Sequence, residues 1–410
     1  MYSEALAERR IVSSEKMVLK LGFVIMVLAV FSGQNMTINA FETGSVLQQY
    51  IHENTMYKEQ SNDALFLWEE SLVQKYGKNK VKKIEDGVVY ISLVKYVNSR
   101  RVKINIAEVN RNLNEDIEIA PLMSTNKSHK KAKINNIATQ NNALVAINGT
   151  YFKQDTGSPL GTLVIDNEII SGPIYERVGM GISNNGFKTS RIAFNGEIKN
   201  KTATVKITNI NQPRMMYSEV LLYNRNWGDT SGLTKKDSSH IAIVNNKIIA
   251  KSDFPLHIPN GGYVLSAPKH ILKDFKVGEK VTINYNLNPN WEDTTHIISG
   301  GPYLIKNGNI FIDTTSQKLN SITGRNPRTA IGYTKDNVML MVTIDGRKEG
   351  YSGVTLKELA SIMKDLGCYE AINLDGGSST VMYVDGNVYT GSNIKNSTAI
   401  SNVLAVRVRA

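Results

Sequence analysis

Cysteine is almost missing from this chain: Cys368 is the single one in 410 residues. That excludes a disulfide framework and any cysteine-based zinc or iron–sulfur centre. With 10 Pro and 31 Gly the chain is neither collagen-like nor linker-like, and 41% hydrophobic against 21% charged residues is too apolar for disorder. No Lys/Arg stripe interleaved with aromatics is present, so nucleic acid is not an expected partner. No apolar run reaches the roughly 20 residues of a spanning helix. Acidic residues are the minority, and the net charge of +11 favours an anionic partner such as a phosphate-rich polymer or acidic headgroups.

What is present begins with an apolar run at residues 21–31, behind Arg9, Arg10, Lys16 and Lys20 and ahead of a polar stretch. A run this short behind positive charge predicts an export signal or an uncleaved signal anchor over 1–40, with Met17 an alternative start to Met1. The remainder is then expected outside the cytoplasmic membrane, secreted or anchored in the envelope. Apolar clusters at three- and four-residue spacings predict a helical stalk over 41–83. From there to 410 the texture is that of one catalytic domain, with a variable, Asn- and Lys-rich middle over 155–295.

The informative stretch starts at Ser299. Residues 328–333 and 338–344 are β-favouring runs, and the four residues 334–337 between them read as a hairpin loop. Counting back from that loop pairs Tyr333 with Val338 and Arg328 with Thr343. Arg328, Thr343 and Asp345 then share a face. Thr355-Leu-Lys-Glu358 is a capping box opening a helix with Leu356, Leu359, Met363 and Leu366 as its buried stripe and Gly367 at its end. Residues 369–375 read as a buried strand, so strand, helix and strand form a parallel crossover. If those strands are neighbours, Asp345 and Asp375 end about 5 Å apart, strand to strand. Asn373 and Asp375 fall on one side of their strand. Gly376 and Gly377 allow a close backbone turn, and Ser378, Ser379 and Thr380 offer hydroxyls and amides to an anion. Asn148-Gly149 and Ser299-Gly300-Gly301-Pro302 repeat the pattern of a strand running into small residues. The predicted fold class is α+β: a central mixed sheet with hairpins, a βαβ unit near the C-terminus and a helical N-terminal extension.

Together, Ala146-Ile-Asn-Gly149 with Phe152, Ser299-Gly-Gly-Pro302, Pro327-Arg-Thr-Ala-Ile-Gly332, Ile344-Asp-Gly-Arg347, the helix at 355–366 and Asn373-Leu-Asp-Gly-Gly377-Ser-Ser-Thr380 resemble the phosphodiester glycosidase family. The resemblance covers about 84–410, is specific from 299 onward and loose across 155–295. Family members usually carry a second glycine where this chain has Thr150, and often a third where it has Ser378. The resemblance implies a hydrolase that cuts the C1–O bond of a sugar-1-phosphodiester, of N-acetylglucosamine type, in an envelope or extracellular polysaccharide or glycoconjugate. On this reading Arg328 acts with Arg347 and the amides around Gly377 to Ser379 on the phosphate. Asp375 and Asp345 supply the carboxylate that attacks the anomeric carbon or activates water. Asn148 and Asn373 meet sugar hydroxyls, and Gly149, Gly300, Gly301, Thr329, Gly376, Ser378 and Thr380 complete the lining. No cofactor is assigned, and a divalent cation stays open. Two alternatives remain: a metal-dependent phosphodiesterase using Asp345, Asp375 and Asn373, and a noncatalytic module gripping anionic wall polymer.

Overall fold

Short runs of valine and isoleucine punctuated by Asn and Gly turns recur from residue 81 onward, and nearly all of them become antiparallel strands. The computed structural model describes residues 62–124, 130–232, 237–392 and 398–409. The apolar segment at 21–31 and the first half of the expected stalk lie outside the described residues. Within Leu65–Ala410, which forms one unit, helical residues up to Tyr76 place Leu72 in the core, with Trp68 and Tyr76 against it.

An eight-stranded sheet runs Val81–Glu85, Val88–Val97, Arg100–Val109, Met339–Ile344, Arg328–Tyr333, Glu370–Asn373, Tyr303–Lys306, Asn309–Ile310, with every neighbouring pair antiparallel. Stacked on it is a five-stranded sheet of order Asn387–Thr390, Val381–Val384, Val145–Asn148, Asn402–Val408, Ile117–Met123. Ile331, Met341 and Ile372 of the first sheet and Ile147, Met382 and Leu404 of the second share one core, which Met180 and Ile298 of a third sheet also enter. The outer face of the large sheet is covered by the helix Leu356–Asp365, and that of the second by Ile134–Gln140. The layers therefore run helix, sheet, sheet, helix.

Leu356–Asp365 forms as its sequence dictates. The Thr355 hydroxyl accepts the Glu358 amide at 3.3 Å, the Glu358 carboxylate accepts the Thr355 amide at 2.9 Å, and Gly367 ends the helix at φ 97°. Leu356, Leu359 and Met363 are buried on the sheet, each contributing about 1.5–3 kcal/mol.

Three expectations need correction. The fold is mostly β rather than α+β, because the regular structure of the Asn/Lys-rich middle is strand among the described residues: a three-stranded sheet and a five-stranded one enclose Phe194, Ile198, Ile243, Leu265 and Phe275. The crossover unit is also not a pair of neighbours. Met339–Ile344 and Glu370–Asn373 do run parallel, but Arg328–Tyr333 lies between them, antiparallel to both.

The third correction concerns register. Tyr333 pairs with Met339 and Arg328 with Ile344, one residue beyond the count from a four-residue loop. Thr334 accepts the Asn337 amide, Asn337 sits in the left-handed region at φ 58°, and Val338 then bonds back to Thr334. The loop thus contains a fifth residue. Because side chains alternate along a strand, that single residue reverses the predicted faces. Arg328 shares the helix-covered face with Ala330 and Ile344, while Thr343 and Asp345 lie on the other.

Candidate active site

The end of the large sheet where Met339–Ile344 and Glu370–Asn373 finish, and Arg328–Tyr333 begins, gathers most of the residues singled out by the sequence. Past Asn373 the chain keeps following the central strand: Leu374 donates to the Thr329 carbonyl at 2.8 Å and Gly377 to the Pro327 carbonyl at 2.9 Å. Asp375 therefore lies alongside Arg328. Asp345 lies beyond Arg328 on the far strand, two strand spacings or about 10 Å from the strand of Asp375.

Asp375 is half-buried, and burial pushes its carboxyl up to about 6 against the opposing pull of the Ser379 hydroxyl and the Gly376 amide. The Gly376 amide donates to its Oδ1 at 2.9 Å. Its backbone is fixed from the second sheet, since its amide donates to the Gly149 carbonyl at 3.2 Å and its carbonyl accepts Asn148 Nδ2 at 2.7 Å. Asn148 Oδ1 in turn accepts the Thr329 hydroxyl at 2.6 Å and the Val381 amide at 3.2 Å. With amide and carbonyl both engaged, Asn148 and Thr329 form a buried brace between the two sheets.

Asn373 is 1% exposed, and its Nδ2 faces the carbonyls of Gly301 (3.0 Å) and Leu374 (2.6 Å) and the hydroxyl of Tyr151 (2.8 Å). Two carbonyls demand the amino group, which fixes the amide orientation and leaves Oδ1 buried without a partner. The Tyr151 hydroxyl donates to Gly301 O at 2.8 Å. Burial first, then the nearby charge of Asp375, pushes that hydroxyl well above its usual range, so it stays a neutral donor. The Arg177 guanidinium lies 5.1 Å from the Tyr151 ring centroid. Gly300 is required here, because a Cβ would collide with the Asn373 carbonyl.

Arg328 is 3% exposed. Its Nε donates to Val354 O at 3.2 Å and its Nη2 to Ile322 O at 2.6 Å and to Gly324 O. Nη1 has no protein acceptor among the described residues. Burial, and then the neighbouring Arg347, lower its pKa, so two guanidinium charges are held close together. Arg347 is exposed, adopts φ 54°, donates to Asn326 Oδ1, and lies 3.5 Å from where a Cβ of Gly377 would stand.

Asp345 does not join this group. It is 3% exposed and bound by Lys348 Nζ at 3.0 Å and Asn105 Nδ2 at 3.4 Å, with the Tyr90 hydroxyl behind Asn105 at 2.9 Å. The predicted side-by-side placement of Asp345 with Arg328 is overturned by the register. Gly377 to Ser379 form a single 3-10 turn, in which Ser378 is half-buried and Ser379 and Thr380 buried. Sequence reasoning missed Tyr151, Arg177 and Lys348, and also Asn402, whose side chain brackets Thr150 with bonds of 3.0 and 2.7 Å and requires glycine at 149.

Among the described residues, the carboxylates and imidazole compact enough to hold an ion are Glu118, Asp166 and His296, away from this site. His296 Nδ1 accepts the Asp166 amide at 3.1 Å, so the neutral ring carries its proton on Nε2, the nitrogen facing both carboxylates at 3.9 Å. Glu118 is also held by Arg407 at 2.6 Å. With its proton on that nitrogen, the ring offers an ion between the carboxylates no lone pair.

Residues 238–407 match the phosphodiester glycosidase family profile, a span that contains Gly300, Arg328, Asp345, Asn373 and Asp375 but not Asn148 or Tyr151. The resemblance read from the motifs is thus shown. The chain is similar to N-acetylglucosamine-1-phosphodiester alpha-N-acetylglucosaminidase of Mus musculus, 31% identical over 101 residues, which cover 22% of this chain and 19% of that protein. It is similar also to the SPbeta prophage-derived uncharacterized protein YomE of Bacillus subtilis, 39% identical over 62 residues, 15% of this chain and 10% of the relative. These matches span a fifth or less of the relatives' own length. Among solved structures, a hypothetical protein from Synechocystis superposes with a TM-score of 0.74 at 22% identity, over 80% of this chain and 63% of that one. A putative exported protein from Burkholderia pseudomallei gives 0.65 at 19% identity, over 75% and 74%. At these identities the likeness is one of fold.

Proposed function

We propose that this protein hydrolyses a sugar-1-phosphodiester at the C1–O bond, with a sugar of N-acetylglucosamine type and a substrate in the envelope or outside the cell. One observation carries the reading: Asp375, a half-buried carboxyl with a pKa raised to about 6, stands on backbone paired with the strand start that carries the buried Arg328, whose guanidinium has that of Arg347 for a neighbour. Cleaving C1–O expels a phosphate monoester, which leaves well without a strong general acid. Stabilising the departing charge is the greater need, and Arg328 Nη1 and Arg347 supply it, the amides of Gly377 and Ser379 being already given to the Pro327 and Gly376 carbonyls.

Asp375 acts at the anomeric carbon, either by bonding to it or by taking a proton from the attacking water. In both cases the electron pair of the broken bond leaves on the phosphate oxygen. The unpartnered Oδ1 of Asn373 accepts a donor of the sugar, a hydroxyl or the N–H of an acetamido group. Tyr151 holds that amide in place. Asp345, neutralised by Lys348, fixes the loop that carries Arg347. A metal-dependent phosphodiesterase would need Asp345, Asp375 and Asn373 around one ion, whereas here the Arg328 strand separates the two carboxylates.

The test is turnover of a p-nitrophenyl-phosphodiester of N-acetylglucosamine, with the released fragments identified. Asp375→Asn and Arg328→Ala are expected to lower kcat/KM by about 10³-fold or more, with the β-sheet circular dichroism signal unchanged. Near-wild-type turnover by either variant removes that residue from the scheme. A phosphate left on the sugar would show P–O rather than C1–O cleavage.

A further inference from the structure

Next to the reaction centre, a surface cavity of about 450 Å³ is lined by Arg100, Arg101, Arg347, Lys348 and Tyr351, and by no acidic residue. Arg100 and Arg101 open the Arg100–Val109 strand, presented by a hairpin turn whose Asn98 and Ser99 are both left-handed. The Arg101 guanidinium lies 5.0 Å from the Tyr351 ring centroid, which orients it on the cavity wall. Among the described residues, neither Arg100, Arg101 nor Arg347 has a carboxylate within 4.0 Å, whereas Lys348 is paired with Asp345. Arg347 belongs to both places, since it lines this cavity and also lies against Gly377.

Three guanidinium groups lining one cavity without a carboxylate partner give it a positive potential, which favours an anion there. One phosphodiester is already served by Arg328 and Arg347. Arg100 and Arg101 exceed what a single phosphate requires, and Arg347 puts them on the phosphate side of the centre rather than the sugar side.

We infer that the leaving group is itself polyanionic: the substrate is a chain of phosphodiester-linked units, and Arg100 and Arg101 bind the phosphate next to the one released. This inference rests on the proposed reaction. The repeating phosphodiester is favoured over other anions because the bond being cut is already of that kind, so the repeat brings a second phosphate within reach of the cavity.

The decisive variant is Arg100→Ser/Arg101→Ser, which leaves Arg328, Arg347 and Asp375 intact. Two substrates are compared: methyl N-acetylglucosamine-1-phosphodiester, with one phosphate, and the same sugar phosphate carrying a glycerol-phosphate trimer. The variant should keep kcat/KM on the first within about twofold and lose about tenfold or more on the second, through KM, with the loss shrinking at about 0.5 M NaCl. A fluorescein-labelled glycerol-phosphate hexamer should bind the wild type about tenfold more tightly than the variant. Equal loss on both substrates, or no loss on either, overturns the inference. So does an oligonucleotide of equal charge that binds as tightly as the hexamer. If the wild type turns over neither substrate, the reaction assignment fails, and hexamer binding alone then decides whether the cavity takes a polyphosphodiester.

Discussion

Asp375 carries opposite consequences for stability and for rate. Its carboxyl titrates near pH 6 in the folded protein, against about 4 in an unfolded chain. The native state therefore binds the proton more tightly, and this contribution to stability is complete below pH ~4 and lost as the pH rises through 6. Asp375→Asn should accordingly raise stability by about 1–2 kcal/mol at pH 7 and change it little at pH 3, as read by urea denaturation. A variant less stable at pH 7 would contradict the burial assigned to this group. The proposed reaction needs the ionised form, so kcat/KM of the wild type should climb along an acid limb with its midpoint near pH 6. Gly300→Ala is expected to lose both stability and activity, because its methyl group would drive the Asn373 carbonyl aside. Residue by residue, the sequence disclosed types better than duties. Asn148 and Thr329 look like sugar contacts, yet their polar atoms are used on Asp375 and on each other. Tyr151 follows Asn-Gly-Thr with nothing local to mark it, and gains its place only through Asn373 and Gly301, far away in sequence.

At the level of elements, legibility follows how local the determinant is. The helix Leu356–Asp365 is written in its capping box and apolar spacing, and Thr355→Ala should cost ~1 kcal/mol in denaturant unfolding without altering KM. The Arg328–Tyr333 and Met339–Ile344 hairpin was equally plain as a hairpin, but not in register. That was decided by one asparagine entering the left-handed region, which counting apolar positions cannot reveal. Strand order was hidden as well. The chain gives no local sign that the first hairpin strand would occupy the slot between the two strands joined by the helix, and this insertion is what sets Arg328 rather than Asp345 beside Asp375.

At the scale of the whole molecule, the stacked sheets make the reaction edge a meeting of distant segments: Asn148 from the second sheet, Gly301 from a connecting loop, and Arg328 and Asp375 from the first. The Asn- and Lys-rich middle builds its own pair of sheets around Phe194 and Phe275, which sequence texture alone left featureless. The Asn402–Val408 strand runs between Val145–Asn148 and Ile117–Met123, and Asn402 seals Gly149 and Thr150. The floor beneath Asp375 is therefore complete only once residues 402–408 have joined the sheet. A nascent polypeptide arrested at residue 400 would lack the last ladder of backbone bonds and should show no turnover. Closing the second sheet and completing the pocket for the proposed reaction are thus a single event.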